Sequence, residues 1–184
     1  KEGLIQQPVC SVDHIGPFLE NRPNRLWCYY CTSQCVQVPN RFMSQPGSRT
    51  RILGTLMYKY RIDGFLHWGY NFYSSQFSLY PIDPYSVTDA DGAFPSGDPF
   101  LVYPGPGGVP EGSIRQMLMY QAMADLRALY ALESLIGREK ALEYIEEPIT
   151  FSSYPMDEEY LLGLRDRVNS FFLERQSAGE SEDL

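Results

Sequence analysis

The order strand, helix, strand over residues 25–70 constrains this chain more than any other feature. Residues 25–31 hold Leu26-Trp27-Cys28-Tyr29-Tyr30-Cys31, a nearly continuous apolar run. Such runs are typical of parallel sheets covered on both faces. Ser48 is placed to cap a helix reaching about Ile62, in which Ile52, Leu53, Leu56, Met57 and Tyr60 recur on one face. Asp63-Gly64 breaks that helix, and Phe65-Leu66-His67-Trp68-Gly69-Tyr70 reads as the next strand. Two strands joined through a helix should lie parallel.

Other elements fall around this unit. Residues 8–18 contain a short strand ending near Asp13, residues 19–24 form a turn, and 32–47 form a loop with two prolines. Residues 71–99 are rich in Ser, Pro, Asp and Tyr, and an irregular stretch of that length is usually functional or disordered. A short apolar run, Phe100 to Tyr103, leads into a Gly/Pro loop over 105–112. Ser113 is the expected cap of a long helix to about Ile136, and Gly137 its natural end. Further helices are expected near 138–147 and 157–174. From Gln176 the tail is polar and acidic, and disorder is expected over 176–184.

Composition narrows the function. The 184 residues carry a net charge of -8, and 43% are hydrophobic. A negative chain is poorly suited to releasing counterions from a phosphate backbone, so a nucleic-acid partner is not expected. No run of about 18 apolar residues suggests a membrane span. Lys1 to Pro8 lack the apolar stretch of a secretory signal, and a cytoplasmic location is expected. With 14 Tyr, 10 Phe and 2 Trp, the chain suits a neutral polar ligand such as a sugar better than a phosphate. Cys28-x2-Cys31-x3-Cys35, with Cys10, raises the possibility of a cysteine-ligated metal. Ligands must converge on one point, however, and alternation along a strand sends Cys28 and Cys31 to opposite faces. Buried thiols are the expected reading, with no metal and no cofactor.

Four segments carry a family resemblance: Asn40-Arg41-Phe42; Tyr58-Lys59-Tyr60-x-Ile62-x-Gly64-Phe65-Leu66-x-Trp68-Gly69-Tyr70-Asn71; Gly97-Asp98-x-Phe100-Leu101-Val102-Tyr103-Pro104-Gly105; and Ser113-Ile114-Arg115. In order and spacing they resemble the bacterial domain-of-unknown-function 4091 family, akin to the catalytic domain of glycoside hydrolase family 123. Characterised relatives are β-N-acetylgalactosaminidases. The resemblance covers about 8–174. It implies an α/β fold, the C-terminal portion of a (β/α)8 TIM-type barrel, with 8–14, 25–31 and 64–70 as its last three strands. Residues 1–136 would be the last strands and helices of the barrel, and 137–175 a C-terminal helical extension. The chain departs from many relatives at Met117, Tyr120 and Gln121, where they carry charged residues.

In the family, hydrolysis resembles substrate-assisted catalysis: the sugar's acetamido group attacks its own anomeric carbon while an adjacent Asp-Glu pair orients that group and protonates the leaving oxygen. Such work needs two carboxylates with separated pKa values in one cleft. The resemblance places that pair on an earlier strand, upstream of these residues, so no catalytic residue is expected here. Asp157-Glu158 reads as the acidic start of a helix. Asp89-x-Asp91-Gly92 resembles a calcium loop but lacks the later Glu, and turn chemistry explains it.

Barrel active sites lie at the C-terminal ends of strands. That rule selects Asp13 and His14, then Tyr29 and Tyr30, then Trp68, Tyr70 and Asn71, and Tyr73 follows in the loop; of these, all but His14 are the substrate-binding candidates. A flat ring meets the apolar face of a sugar, while Asp and Asn meet its hydroxyls. Trp68 with Asn71 is the leading pair. Asp98 and Arg115 are expected to form a structural ion pair or loop anchor. The expected partner is carbohydrate, an N-acetylated hexosamine glycan. Three parallel strands also leave open edges and an uncovered face, to be closed by a missing N-terminal barrel segment or by self-association. A non-catalytic carbohydrate-binding or scaffold module is the alternative, and a cysteine-ligated metal protein a remote one.

Overall fold

A computed structural model describes residues 5–146 and 148–180. Three short strands, β1 (Val9–Ser11), β2 (Trp27–Tyr30) and β3 (Gly64–His67), form a parallel sheet in the order β1-β2-β3. Cys10 lies beside Cys28, and Cys28 beside Phe65; Tyr30 pairs with His67. The expected parallel β–α–β unit is therefore present. The structure is mixed α/β, and within the described residues the sheet does not close into a barrel.

Register and alternation sort the side chains into two sets. Cys10, Cys28 and Tyr30 face the helices and are buried in the main core. Val9, Ser11, Trp27, Tyr29, Gly64 and Leu66 share the opposite face by register. There Leu66 is 50% exposed, and the Trp27 indole lies over Gly64, where a Cβ would approach it to 2.3 Å.

The crossover helix α2 (Ser48–Lys59) packs on the sheet through Ile52, Leu53, Leu56 and Met57. Ser48 is not its cap, as expected, but already inside it; Gly47 occupies the cap and the Ser48 hydroxyl donates to the Met156 carbonyl. Behind α2 runs α3 (Ile114–Ile136), capped as expected by Ser113, whose hydroxyl accepts the Gln116 N–H, and ended at Gly137 with φ 83°. The short α4 (Arg138–Glu143) and the long α5 (Glu158–Glu180) complete the helical layer, and Leu161, Leu164 and Val168 of α5 join the same core. Buried Asp125 of α3 ties the layer together: Arg51 of α2 grips its carboxylate at 2.7 and 3.1 Å, and Arg165 of α5 adds a bond at 2.8 Å.

Several elements differ from expectation. A short helix, α1 (Gly16–Glu20), fills part of the expected turn, and Pro17 suits its first turn. The Gly/Pro loop is instead a tight hairpin of β4 (Val102–Pro104) and β5 (Pro110–Gly112). In the polar tail, α5 continues to Glu180, while 181–184 lie outside the described residues, as do 1–4 of the leading segment and 147 at the end of the expected 138–147 helix. No helix among the described residues is long and apolar enough to cross a membrane.

The α2–α3 contact depends on one glycine. A Cβ at Gly54 would lie 1.8 Å from the Ala122 carbonyl oxygen, so the two backbones meet directly. Gly54→Ala is expected to cost about 2 kcal/mol, as overpacking does. Urea unfolding reads this directly, and an unchanged midpoint would show that the helices do not touch there.

Candidate functional site

All three strands point the same way, so their C-terminal ends share one edge of the sheet. The segments leaving that edge are laced together by buried polar side chains. Asn40 donates to the Cys31 and Gln34 carbonyls at 2.9 and 2.7 Å, which fixes the loop after β2. Arg41, with no solvent exposure, donates to the carbonyls of Trp68 (2.8 Å) and Asp98 (2.6 Å) and stands over the Tyr30 ring at 5.3 Å. The fully buried Asp98 carboxylate accepts the Thr32 hydroxyl at 2.7 Å and lies 3.4 Å from Arg41. Arg115 anchors the following segment through the Gly97 carbonyl and the Phe100 carbonyl, the latter at 2.7 Å.

Of the two readings expected for Asp98 and Arg115, the loop anchor holds and the direct ion pair does not. Arg41 is the ion-pair partner, and Arg115 is the loop anchor. Composition gave no sign of the pairing, because the two residues lie 57 positions apart. The Asn40-Arg41-Phe42 and Gly97-Asp98 segments nevertheless both belong to the motifs that carried the resemblance.

The third strand also ends sooner than expected. Gly69 adopts φ 61°, a left-handed conformation, and a Cβ there would crowd the Asp98 carbonyl at 2.7 Å and the Arg41 guanidinium at 3.1 Å. The chain turns at Gly69, so Tyr70 does not continue the alternation of Leu66.

The candidate residues fall into three groups. Trp68, Tyr70, Asn71 and Tyr73 come together along the segment leaving β3. Trp68 is half-buried, its ring edge-on to Phe94 at 5.4 Å and tilted against Phe72 at 5.9 Å. Its indole N–H faces the Asp98 carboxylate and favours the ionised form, beyond full hydrogen-bond range. Asn71 is exposed and its backbone pairs with Phe100. The Tyr70 hydroxyl accepts a bond from Gln116 at 2.8 Å, and the Tyr73 hydroxyl donates to the Val102 carbonyl at 2.7 Å. Asp13 stands apart at the end of β1, linked to the β2 loop by Gln34 at 3.3 Å. The two remaining tyrosines separate: Tyr29 is half-buried on the face away from the helices, whereas Tyr30 is wholly enclosed, its ring tilted against Phe65 with centroids 4.7 Å apart.

Burial raises the Asp98 carboxyl above its ordinary range, against the opposing pull of Arg41 and Thr32. Asp13 moves the other way: burial favours its neutral form, but hydrogen bonds from Ser11, His14 and Gln34 together prevail and hold it below the usual carboxylate value. His67 was not anticipated as part of this edge. Burial and then the nearby Arg41 charge depress its ring to about 3, and both ring nitrogens are enclosed without a hydrogen-bond partner. The remaining loop carboxylates already accept local donors. Asp89 closes a turn onto the Gly92 N–H at 2.9 Å, Asp83 accepts the Tyr85 N–H at 3.0 Å, and Asp91 accepts the Tyr80 hydroxyl. Asp157 accepts the Tyr160 N–H at 3.0 Å at the start of α5.

The cysteines do not converge. Cys10 and Cys28 are buried and Cys35 is exposed; burial pushes the Cys28 thiol far up. Among the described residues no group of three or more His, Cys, Asp or Glu side chains is placed to hold a metal ion.

The model of the glycoside hydrolase 123 catalytic domain matches residues 1–132. The chain belongs to that family. The match ends inside α3, so α4 and α5 lie beyond it. No curated protein matches the chain. All four residues that lace the strand-end edge, Asn40, Arg41, Asp98 and Arg115, fall within the matched span.

His67 has a consequence for stability. Its folded value lies near 3 against 6.5 for the free ring, so between those values the unfolded chain binds more protons. The contribution is complete above the unfolded value and is lost as pH falls through this window, by at most about 1.4 kcal/mol per pH unit. The melting temperature is expected to fall on acidification from about pH 7 to 5, and His67→Phe to flatten that slope. Identical slopes would mean that the ring protonates freely in the folded protein.

Proposed function

We propose that this chain forms one wall of the sugar-binding cleft of a glycoside hydrolase acting on N-acetylated hexosamine glycans. Its sheet would be the last strands of a (β/α) barrel, and the acid–base carboxylates would come from a preceding part of the protein. The observation that carries this reading is the braced edge beyond β1–β3, where Arg41 and Asp98 hold Trp68-Gly69-Tyr70-Asn71. The braced backbone there carries a half-buried indole and, three residues on, an exposed carboxamide, groups suited to the apolar face and hydroxyls of a pyranose. Family membership supports the hydrolase class.

The electrostatics support a binding role in preference to acid–base work by this chain. A general acid needs a raised pKa and access to substrate. Asp98 has the first but is fully buried, and Asp13 has access but is held ionised. The uncovered sheet face, with Trp27, Tyr29 and Leu66, suits closure by further strands.

Two measurements test the reading. The 184-residue chain, purified alone, is expected to give no turnover of an aryl N-acetylhexosaminide; activity that survives repurification would place the catalytic carboxylates within it. The protein expressed with its genomic upstream sequence is expected to hydrolyse that substrate, with Trp68→Ala lowering kcat/KM by about tenfold or more, roughly 1.4 kcal/mol. Unchanged kinetics would put Trp68 outside the substrate site.

A further inference from the structure

The hairpin β4–β5 carries a second aromatic surface. Tyr103 and Glu111 are cross-strand partners in this hairpin. Tyr85, from the long loop, lies over Tyr103 with ring centroids 5.0 Å apart and planes 32° from parallel. Its hydroxyl donates to the Glu111 carboxylate at 2.9 Å and also lies 3.3 Å from the Pro104 carbonyl. At its other end the Tyr85 backbone N–H is held by Asp83 at 3.0 Å. Yet the residue remains 57% exposed.

That combination is hard to account for by folding alone. A ring fixed by a stacking partner, a hydroxyl tether and a backbone turn has already given up its rotamer freedom, while more than half of its surface stays in water. The same features lower the entropic cost of binding something to the outer face of the ring. We propose that Tyr85, backed by Tyr103, is a pyranose-stacking subsite for neutral or N-acetylated sugars. The ring meets the C–H face of the sugar, and the Glu111 and Asp83 carboxylates, which only accept, receive hydrogen bonds from its hydroxyls. These two acidic groups, neither ion-paired among the described residues, also select against uronate or sulfated sugars. Tyr103 continues through Phe100 at 5.1 Å to Tyr73 at 5.8 Å, and Phe100 pairs with Asn71, so the subsite shares a framework with the cleft. The proposal rests on the glycan-binding reading above and extends it to a longer chain of sugars.

The test reads binding, so it is separate from hydrolysis. Oligomers of N-acetylglucosamine and of N-acetylgalactosamine are titrated into the intact 184-residue chain and followed by saturation-transfer NMR, with a heparin fragment as the anionic comparison. At least one neutral oligomer is expected to bind and heparin not. Tyr85→Ala is expected to weaken binding about tenfold while the protein still unfolds in one cooperative transition, whereas Tyr85→Phe, which keeps the ring and loses the tether to Glu111, weakens it only a few-fold. Failure of both neutral oligomers to bind, preference for heparin, or full affinity in Tyr85→Ala overturns the subsite. If Trp68→Ala abolishes binding while Tyr85→Ala does not, the cleft stands and the outer subsite falls. Loss in Tyr85→Ala alongside an inactive complete protein leaves the subsite standing and removes the hydrolase reading.

Discussion

Arg41 is the residue on which the strand-end edge depends. A guanidinium removed from water incurs a large desolvation cost unless its charge and its donors are met. Here the charge is met by Asp98, Nη2 donates to two carbonyls and the cation rests on the Tyr30 ring, while Nε and Nη1 are buried without a hydrogen-bond partner. Both carbonyl hydrogen bonds and the contact with the Asp98 carboxylate are made by the same guanidinium nitrogen, Nη2, so a single group joins the segment after β3 to the one carrying Asp98. The arrangement is reciprocal. Asp98 is tolerated inside the protein because Arg41 and Thr32 stand against it, and Gly69 turns where it does because the space a Cβ needs is filled by Arg41 and the Asp98 carbonyl. Trp68 inherits its position from all of them.

The helical layer is built on the same economy of contact. Gly54 lets α2 approach the backbone of α3, and just away from that crossing Asp125 gathers arginines from α2 and α5. The result is a firm support behind the sheet, on the face carrying Cys10, Cys28 and Tyr30. Rigidity at the edge thus comes from both sides: apolar packing beneath the strands and paired charges beyond them.

Much of the fold was legible in the sequence, and for definite reasons. The apolar run at 26–31 and the one-face helix after it could satisfy their burial only as parallel neighbours, and the Ser113 and Gly137 boundaries follow from local hydrogen bonding. Ser48 misled because the same hydroxyl that caps helices also bonds a distant carbonyl, here that of Met156. The β4–β5 hairpin was hidden because prolines and glycines mark a turn without revealing that its flanks pair. Of the candidate site, the segment Trp68–Tyr73 was visible from the rule that barrel sites gather at strand ends. Its internal geometry was not. Alternation separates Tyr29 from Tyr30 but cannot tell which faces the helices when both are aromatic, and it fails beyond Gly69, where the backbone leaves the extended region.

The least legible feature was the state of the carboxylates, and it bears most on function. An acid in a loop is a possible catalyst by sequence alone. In the fold, Asp83, Asp89 and Asp91 each accept a local N–H or hydroxyl, and Asp98 is buried against arginine. At Asp13, donors directed at the carboxylate favour its ionised form, and a carboxylate held ionised is a poor proton donor. Asp13, with three such donors, shows the effect in its lowered pKa. What these loops leave uncommitted is mostly ring surface and the side chain of Asn71. The acids beyond the strands are thus largely engaged in holding loop backbone and hydroxyls in place, a structural use of carboxylates that their positions in the sequence do not reveal.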